Sequence, residues 1–112
     1  MPFIHTMTNL PLSRQTEEKL KAAYGEAAEL IGKSENWLML RFEDGCRLWM
    51  AGGEEPAAMV QVDLYGKAAA AQYEAMTARL TAALEQELGL APERVYVRYA
   101  ETPNWGWSGS NF

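Results

Sequence analysis

The residue whose type and place could do chemistry is Pro2, second in the opening run Met1-Pro2-Phe3-Ile4-His5-Thr6-Met7. Removal of an initiator methionine ahead of proline leaves a secondary amine at the start of an apolar strand. A free α-amino group titrates at about 7.7–8.0, and burial among aromatic side chains disfavours its charged form. An amine that is neutral near pH 7 can take a proton from carbon, the work of a general base. While Met1 stays attached, the Pro2 nitrogen is an amide and has no such capacity. Proline also opens strands for a plainer reason, because its missing N–H costs no ladder bond there.

Other reactive groups are few. Cys46 is the single cysteine, which excludes an internal disulfide and any paired-thiol redox or zinc motif. A lone thiol reads first as a small buried apolar side chain. His5, the one histidine, reads as a packed or interface residue. Asp63 and Glu101 have no evident carboxylate partner, so a paired acid–base mechanism has little support. Lys33 follows a glycine that ends a helical run, where a cation offsets the helix dipole. A net charge of −5 disfavours a nucleic-acid binder, which needs a basic face. No run approaches the roughly 20 apolar residues of a membrane span, and no secretory leader is evident, so the expected compartment is the cytoplasm.

The elements that would position Pro2 can be read in chain order. With 112 residues, 48% of them hydrophobic and 22% charged, the chain reads as one globular domain over 1–112. Residues 2–8 form a strand that Asn9, Leu10 and Pro11 end. Ser13 caps a helix in which Leu20, Tyr24, Ala27 and Ile31 share a face until Gly32. Residues 37–42 read as a second strand, Glu43-Asp44-Gly45 as a tight reversal and residues 46–50 as a short third strand. Residues 59–65 begin the plan again, with a helix over 68–88 whose inner stripe is Tyr73, Met76, Leu80, Leu84 and Leu88. Gly89 and Pro92 end it, and residues 95–100 close the sheet. Aligning Trp37 with Val95 also aligns Pro2 with Val60, so the halves, about 1–50 and 58–112, read as tandem β-α-β repeats. Right-handed crossovers then give an α+β two-layer fold, a four-stranded mixed sheet with both helices on one face. Residues 37–42 and 60–64 read as apolar on both alternating sets, so a homo-oligomer is expected to cover the second face.

Several positions together carry a resemblance. The opening Met1-Pro2, Asn9-x-Pro11, Gly32-Lys33, Gly52-Gly53-x-Glu55-Pro56, Gly66-Lys67, Pro92-x-Arg94-Val95-Tyr96 and the closing Gly106-Trp107 and Phe112 resemble, in order and spacing, the macrophage migration inhibitory factor family of the tautomerase superfamily. The resemblance implies a trimer whose sheets form an inner barrel. It implies cofactor-free keto–enol tautomerisation of phenylpyruvate-like α-keto acids, with Pro2 as base and no metal. It places Lys33 on the substrate carboxylate or oxygen and the Tyr65 backbone along the pocket. Tyr96 and Arg98 would arrive from a neighbouring subunit, and Trp105, Trp107 and Phe112 would form an aromatic wall.

The chain departs from the family at three places. Ala57-Ala58-Met59-Val60 stands where the mammalian cytokine has a Cys-x-x-Cys motif, so thiol oxidoreductase chemistry is not implied. Tyr65 replaces an isoleucine, giving a bulkier pocket mouth, and Arg98 replaces an asparagine, adding a fork of donors that favours anions. Two alternatives stand beside the tautomerase: a catalytically silent binding or signalling protein acting on a host receptor after leaderless secretion, and related chemistry on small unsaturated acids. The last generally wants paired arginines and a further acid, of which the sequence offers Arg98.

Overall fold

A computed structural model describes all of residues 1–112. The first strand, β1 (Pro2–Thr8), is central to the sheet and alternates strictly, with Pro2, Ile4, Thr6 and Thr8 buried and the residues between them half-buried. Helix α1 (Arg14–Glu29) begins where the Ser13 hydroxyl accepts the Thr16 N–H at 3.1 Å. Its end is set by Gly32, whose φ of 74° suits a residue without a Cβ. Strand β2 (Met39–Glu43) returns parallel to β1. Strand β3 (Ala58–Tyr65) runs antiparallel on the other side of β1. Helix α2 (Ala70–Leu88) stops at Gly89, which is left-handed at φ 69° and donates its N–H to the Glu85 carbonyl. Strand β4 (Val95–Thr102) then pairs parallel to β3. The sheet order β2-β1-β3-β4 is that of two parallel β-α-β units joined antiparallel at their first strands.

Both helices cover one face of the sheet. Leu20, Tyr24, Ala27 and Ile31 of the first helical unit meet Met76, Leu80, Ala83 and Leu84 of the second over Ile4, Val60, Val62 and Leu64. Burying this apolar surface is the main term favouring the fold, at about 25 cal/mol per Å². The polar atoms inside are paired. The Tyr24 hydroxyl lies 2.8 Å from the Thr6 hydroxyl, and the Thr8 hydroxyl donates to the Ala57 carbonyl at 2.8 Å.

The structure corrects three sequence expectations. Residues 46–50 do not form a strand: Gly45 donates to the Leu10 carbonyl and Cys46 to the Thr8 carbonyl, which carries the chain past β1 instead of back along β2. Met50 alone bridges, to Gly53, and residues 47–49 make no main-chain hydrogen bond. The edges of the sheet are therefore β2 and β4. Trp37 precedes β2, because the Ser34 hydroxyl accepts the Asn36 N–H at 3.1 Å and winds Glu35–Trp37 into a short 3-10 helix. The face away from the helices is not uniformly apolar. Its middle row is Arg41, His5, Gln61 and Arg98, and Asp63 lies in the row beside it. His5 meets Glu43 at 2.9 Å, with Arg41 a further 3.7 Å neighbour of that carboxylate.

The buried hydroxyl pair gives a direct test. Thr6→Val removes the partner of a fully buried phenol and is expected to cost about 1–3 kcal/mol in urea unfolding, with part recovered when Tyr24→Phe is added. Burial also raises the Tyr24 phenol pKa, raises that of Tyr99, and with Glu101 pushes Tyr73 up to about 12. These groups keep their protons in the folded state where the unfolded chain, titrating at about 10, has begun to lose them. Their contribution is complete below about pH 10 and is lost as pH rises beyond it, so alkaline unfolding curves should show stability falling from there upward.

Candidate active site

Lys33 is placed by the way α1 ends. With Gly32 turning the chain, the Lys33 N–H bonds back to the Ala28 carbonyl at 3.0 Å, and its ammonium reaches across to donate to the Tyr65 carbonyl at 3.0 Å. Tyr65 is the last residue of β3, and its own N–H donates to the Met1 carbonyl at 3.2 Å. The start of β1 and the Lys33 ammonium are therefore joined through one residue. Pro2 is buried and pairs in register with Leu64. The α-amino group of Met1 has a lowered pKa, first because it is partly desolvated and then because the Lys33 charge lies near. An amine at this end of β1 is held towards its neutral form.

The C-terminal segment brings aromatic rings to the same place. Strands β5 (Gly106–Trp107) and β6 (Ser110–Asn111) form a minimal hairpin. Its two-residue turn has Ser108 at φ 54° and Gly109 at φ 84°, the double positive φ that a tight right-twisted hairpin requires. Phe112 packs against Tyr65 with ring centroids 5.5 Å apart. Trp107 lies 6.3 Å from Phe112, nearly parallel to it, and meets the edge of Trp37 at 5.0 Å and 81°. Aromatic pairs of this kind contribute about 0.5–1.5 kcal/mol each beyond their buried area. Trp105 contributes its carbonyl, which accepts the Phe112 N–H at 3.0 Å.

Pro2, Lys33, Tyr65, Trp107 and Phe112 therefore converge within one chain, with Trp105 holding the tail. Tyr96 and Arg98 do not. They pair with Met59 and Gln61, on the face away from the helices. Five residues of strand separate Met59 from Leu64, the partner of Pro2, or about 17 Å. Tyr96 is 62% exposed there. Trp37 joins this group unforeseen, because the sequence places it at the head of a strand and the structure in a 3-10 helix beside the tail. The signal that could have found it is Ser34, a capping residue three positions earlier. Two open hollows lie elsewhere: one of about 330 Å³ beside Asn9, Cys46 and Arg47, and a groove of about 860 Å³ between α1 and the β2 edge over Leu38, Leu40 and Phe42.

The remaining reactive groups have other partners. The Cys46 thiol donates to the Glu43 carbonyl at 3.3 Å, and desolvation together with the Glu43 charge raises its pKa, so it is no ready nucleophile. Glu101 accepts from the Tyr73 hydroxyl at 2.5 Å. In chemical terms the convergent group offers a strand-opening amine position, a fixed cation that would neutralise a carboxylate or enolate, and an apolar aromatic surface.

Comparison with known proteins adds an independent line. The family model described as "Macrophage migration inhibitory factor (MIF)" matches residues 1–112. The macrophage migration inhibitory factor of Meriones unguiculatus is 27% identical over 114 residues, covering 100% of this chain and 99% of that protein. D-dopachrome decarboxylase of Gallus gallus is 31% identical over 106 residues, covering 94% and 90%. The crystal structure of Leishmania major MIF2 superposes with a TM-score of 0.94 at 39% identity, covering 100% of this chain and 97% of that one. With sequence match and fold in agreement, the chain belongs to the macrophage migration inhibitory factor family of the tautomerase superfamily.

Proposed function

We propose that this protein is a cofactor-free keto–enol tautomerase of phenylpyruvate-like 2-oxo acids, with Pro2 as base once Met1 is removed. Family membership supports tautomerase-type activity, and relatives carry the name D-dopachrome decarboxylase, an enzyme of a small cyclic substrate. The observation that carries the finer reading is the contact of Lys33 with the Tyr65 carbonyl, beside the start of β1 and under Phe112.

The steps follow from these positions. Lys33 binds the substrate carboxylate by a charge-assisted hydrogen bond, and Phe112 and Trp107 take the aromatic ring. The neutral Pro2 amine removes a proton from the carbon between ring and carbonyl. The electron pair left behind moves onto the carbonyl oxygen, whose developing charge Lys33 stabilises. Returning the proton to that oxygen gives the enol and restores the amine.

In this reading a second copy of the chain supplies Tyr96 and Arg98 as further donors, in a trimer. Three features favour assembly. Residues 47–49 carry unpaired backbone with Trp49 64% exposed, the β2 edge is free beside a groove that sets Leu38, Leu40 and Phe42 against the charged side chains of α1, and Tyr96 and Arg98 stand on a face that the chain's own helices leave uncovered. One observation favours a second reading. With Met1 in place its carbonyl is engaged by Tyr65 and the Pro2 nitrogen is an amide, so a chain that keeps Met1 is a binding protein on this scaffold.

Intact mass separates the two readings, and a mass short by one methionine is expected. A variant that retains a residue before Pro2 should lose about 10²–10⁴-fold in phenylpyruvate enolisation, the usual worth of a general base. Unchanged turnover would remove Pro2 from that role. Because a nearby cation lowers an amine's pKa, Lys33→Ala should move the pH–kcat/KM inflection of the base upward while raising KM. Sedimentation at micromolar concentration should give three times the chain mass, and a monomer with full activity would overturn the shared site.

A further inference from the structure

The tail of the chain is attached in an unusual way. From Trp105 to Phe112 every main-chain hydrogen bond stays within the tail, either across the β5–β6 pair or from Phe112 to Trp105. Neither strand joins the main sheet. What ties the tail to the rest of the molecule is rings: Trp37 against Trp107 at one end and Tyr65 against Phe112 at the other. These two anchors flank Lys33, since Trp37 lies in the 3-10 helix just after it and Tyr65 holds its ammonium. Trp107 and Phe112 nonetheless keep 55% and 52% of their surface exposed, so the hairpin presents aromatic faces while being clasped from behind.

We propose that Tyr65 and Trp37 are positioning residues that hold the C-terminal hairpin as a lid beside Lys33, and that they govern how tightly the aromatic part of a ligand is held. The ligand part of this inference rests on the tautomerase reading; the clasp itself does not. An aromatic pair is worth about two- to tenfold in an equilibrium constant. A hairpin with one clasp removed opens more often by that factor, and the wall it offers a ligand is present for less of the time. Proton transfer is left to Pro2, which takes no part in either ring pair.

Amide hydrogen exchange on the full chain tests the clasp. Tyr65→Ala and Trp37→Ala should each speed exchange of the Phe112 amide about two- to tenfold, while the amides of β1 exchange as in the parent protein. Tyr65→Phe, which keeps the ring, should restore the parent rate at Phe112. Unchanged exchange at Phe112 in both alanine variants would overturn the clasp, as would equal acceleration throughout β1. In steady-state kinetics with phenylpyruvate, the alanine variants should raise KM about two- to tenfold with little effect on kcat, and a fall in kcat at constant KM would contradict a positioning role. If the parent protein does not enolise phenylpyruvate, the tautomerase reading fails by itself. The ligand arm then uses 3-phenylpropionate and propionate, titrated by NMR. Weaker binding of the first alone in the variants supports the inference, and equal effects on both acids oppose it.

Discussion

A lysine ammonium resting on a main-chain carbonyl is the contact from which the rest of the site takes its geometry. Lys33 can make it because the turn at Gly32 releases the chain from α1 towards the end of β3, where the last carbonyl of the strand has no sheet partner left to satisfy it. The residue carrying that carbonyl, Tyr65, uses its remaining groups on both ends of the polypeptide: its N–H on Met1 and its ring on Phe112. A single strand terminus thus collects the prospective base, the cation and the aromatic surface. The central strand makes this arrangement firm, since β1 is paired along its whole length and buries every second side chain.

How much of this was legible beforehand depended on whether the deciding interaction was local. Ser13, Gly32, Gly89 and Pro92 act within a turn of themselves, and the helices begin and end at or near them. The paired repeats and the two-layer arrangement followed from the spacing of apolar residues, and the fold bears that reading out. Residues 46–50 have the composition of a strand, yet a strand is a relation between two segments, and no pattern within one of them reveals that the bonds of Gly45 and Cys46 commit the chain elsewhere. Trp37 failed for a smaller reason, one hydroxyl at Ser34 closing a turn where a strand was expected. Of the candidate site, Pro2 is singled out by position and type alone. Lys33, Tyr65 and the tail needed either the family resemblance or the folded chain to bring them together, and Tyr96 and Arg98 remain apart from them in a single copy.

The face of the sheet turned away from the helices qualifies the family picture. The alternation of β1 and β3 places Phe3, His5 and Met7 beside Asp63, Gln61 and Met59, flanked by Arg41, Glu43 and Arg98. A surface of this mixture is poorly suited to a dry hydrophobic contact. It suits a water-filled interior, or a seam knit by hydrogen bonds and partial charge compensation. Association would then draw its apolar driving force from the margins of this face, where Met39 and Tyr96 stand on the edge strands, and from Trp49 on the unpaired segment. A scaffold shared by proteins of different activity leaves such surfaces free to diverge while the layered core is kept.

Residues 1 and 112 are neighbours because both lean on Tyr65. Any polypeptide continuing before Met1 or beyond Phe112 would emerge at the same mouth, beside Lys33, whichever end carried it. Purification handles and fusion partners are therefore not neutral additions to this molecule, since either end would crowd the surface where Lys33 meets Tyr65. A short linker across the two ends, with new ones opened in the exposed loop around Gly52, would move such attachments to the opposite end of the strands.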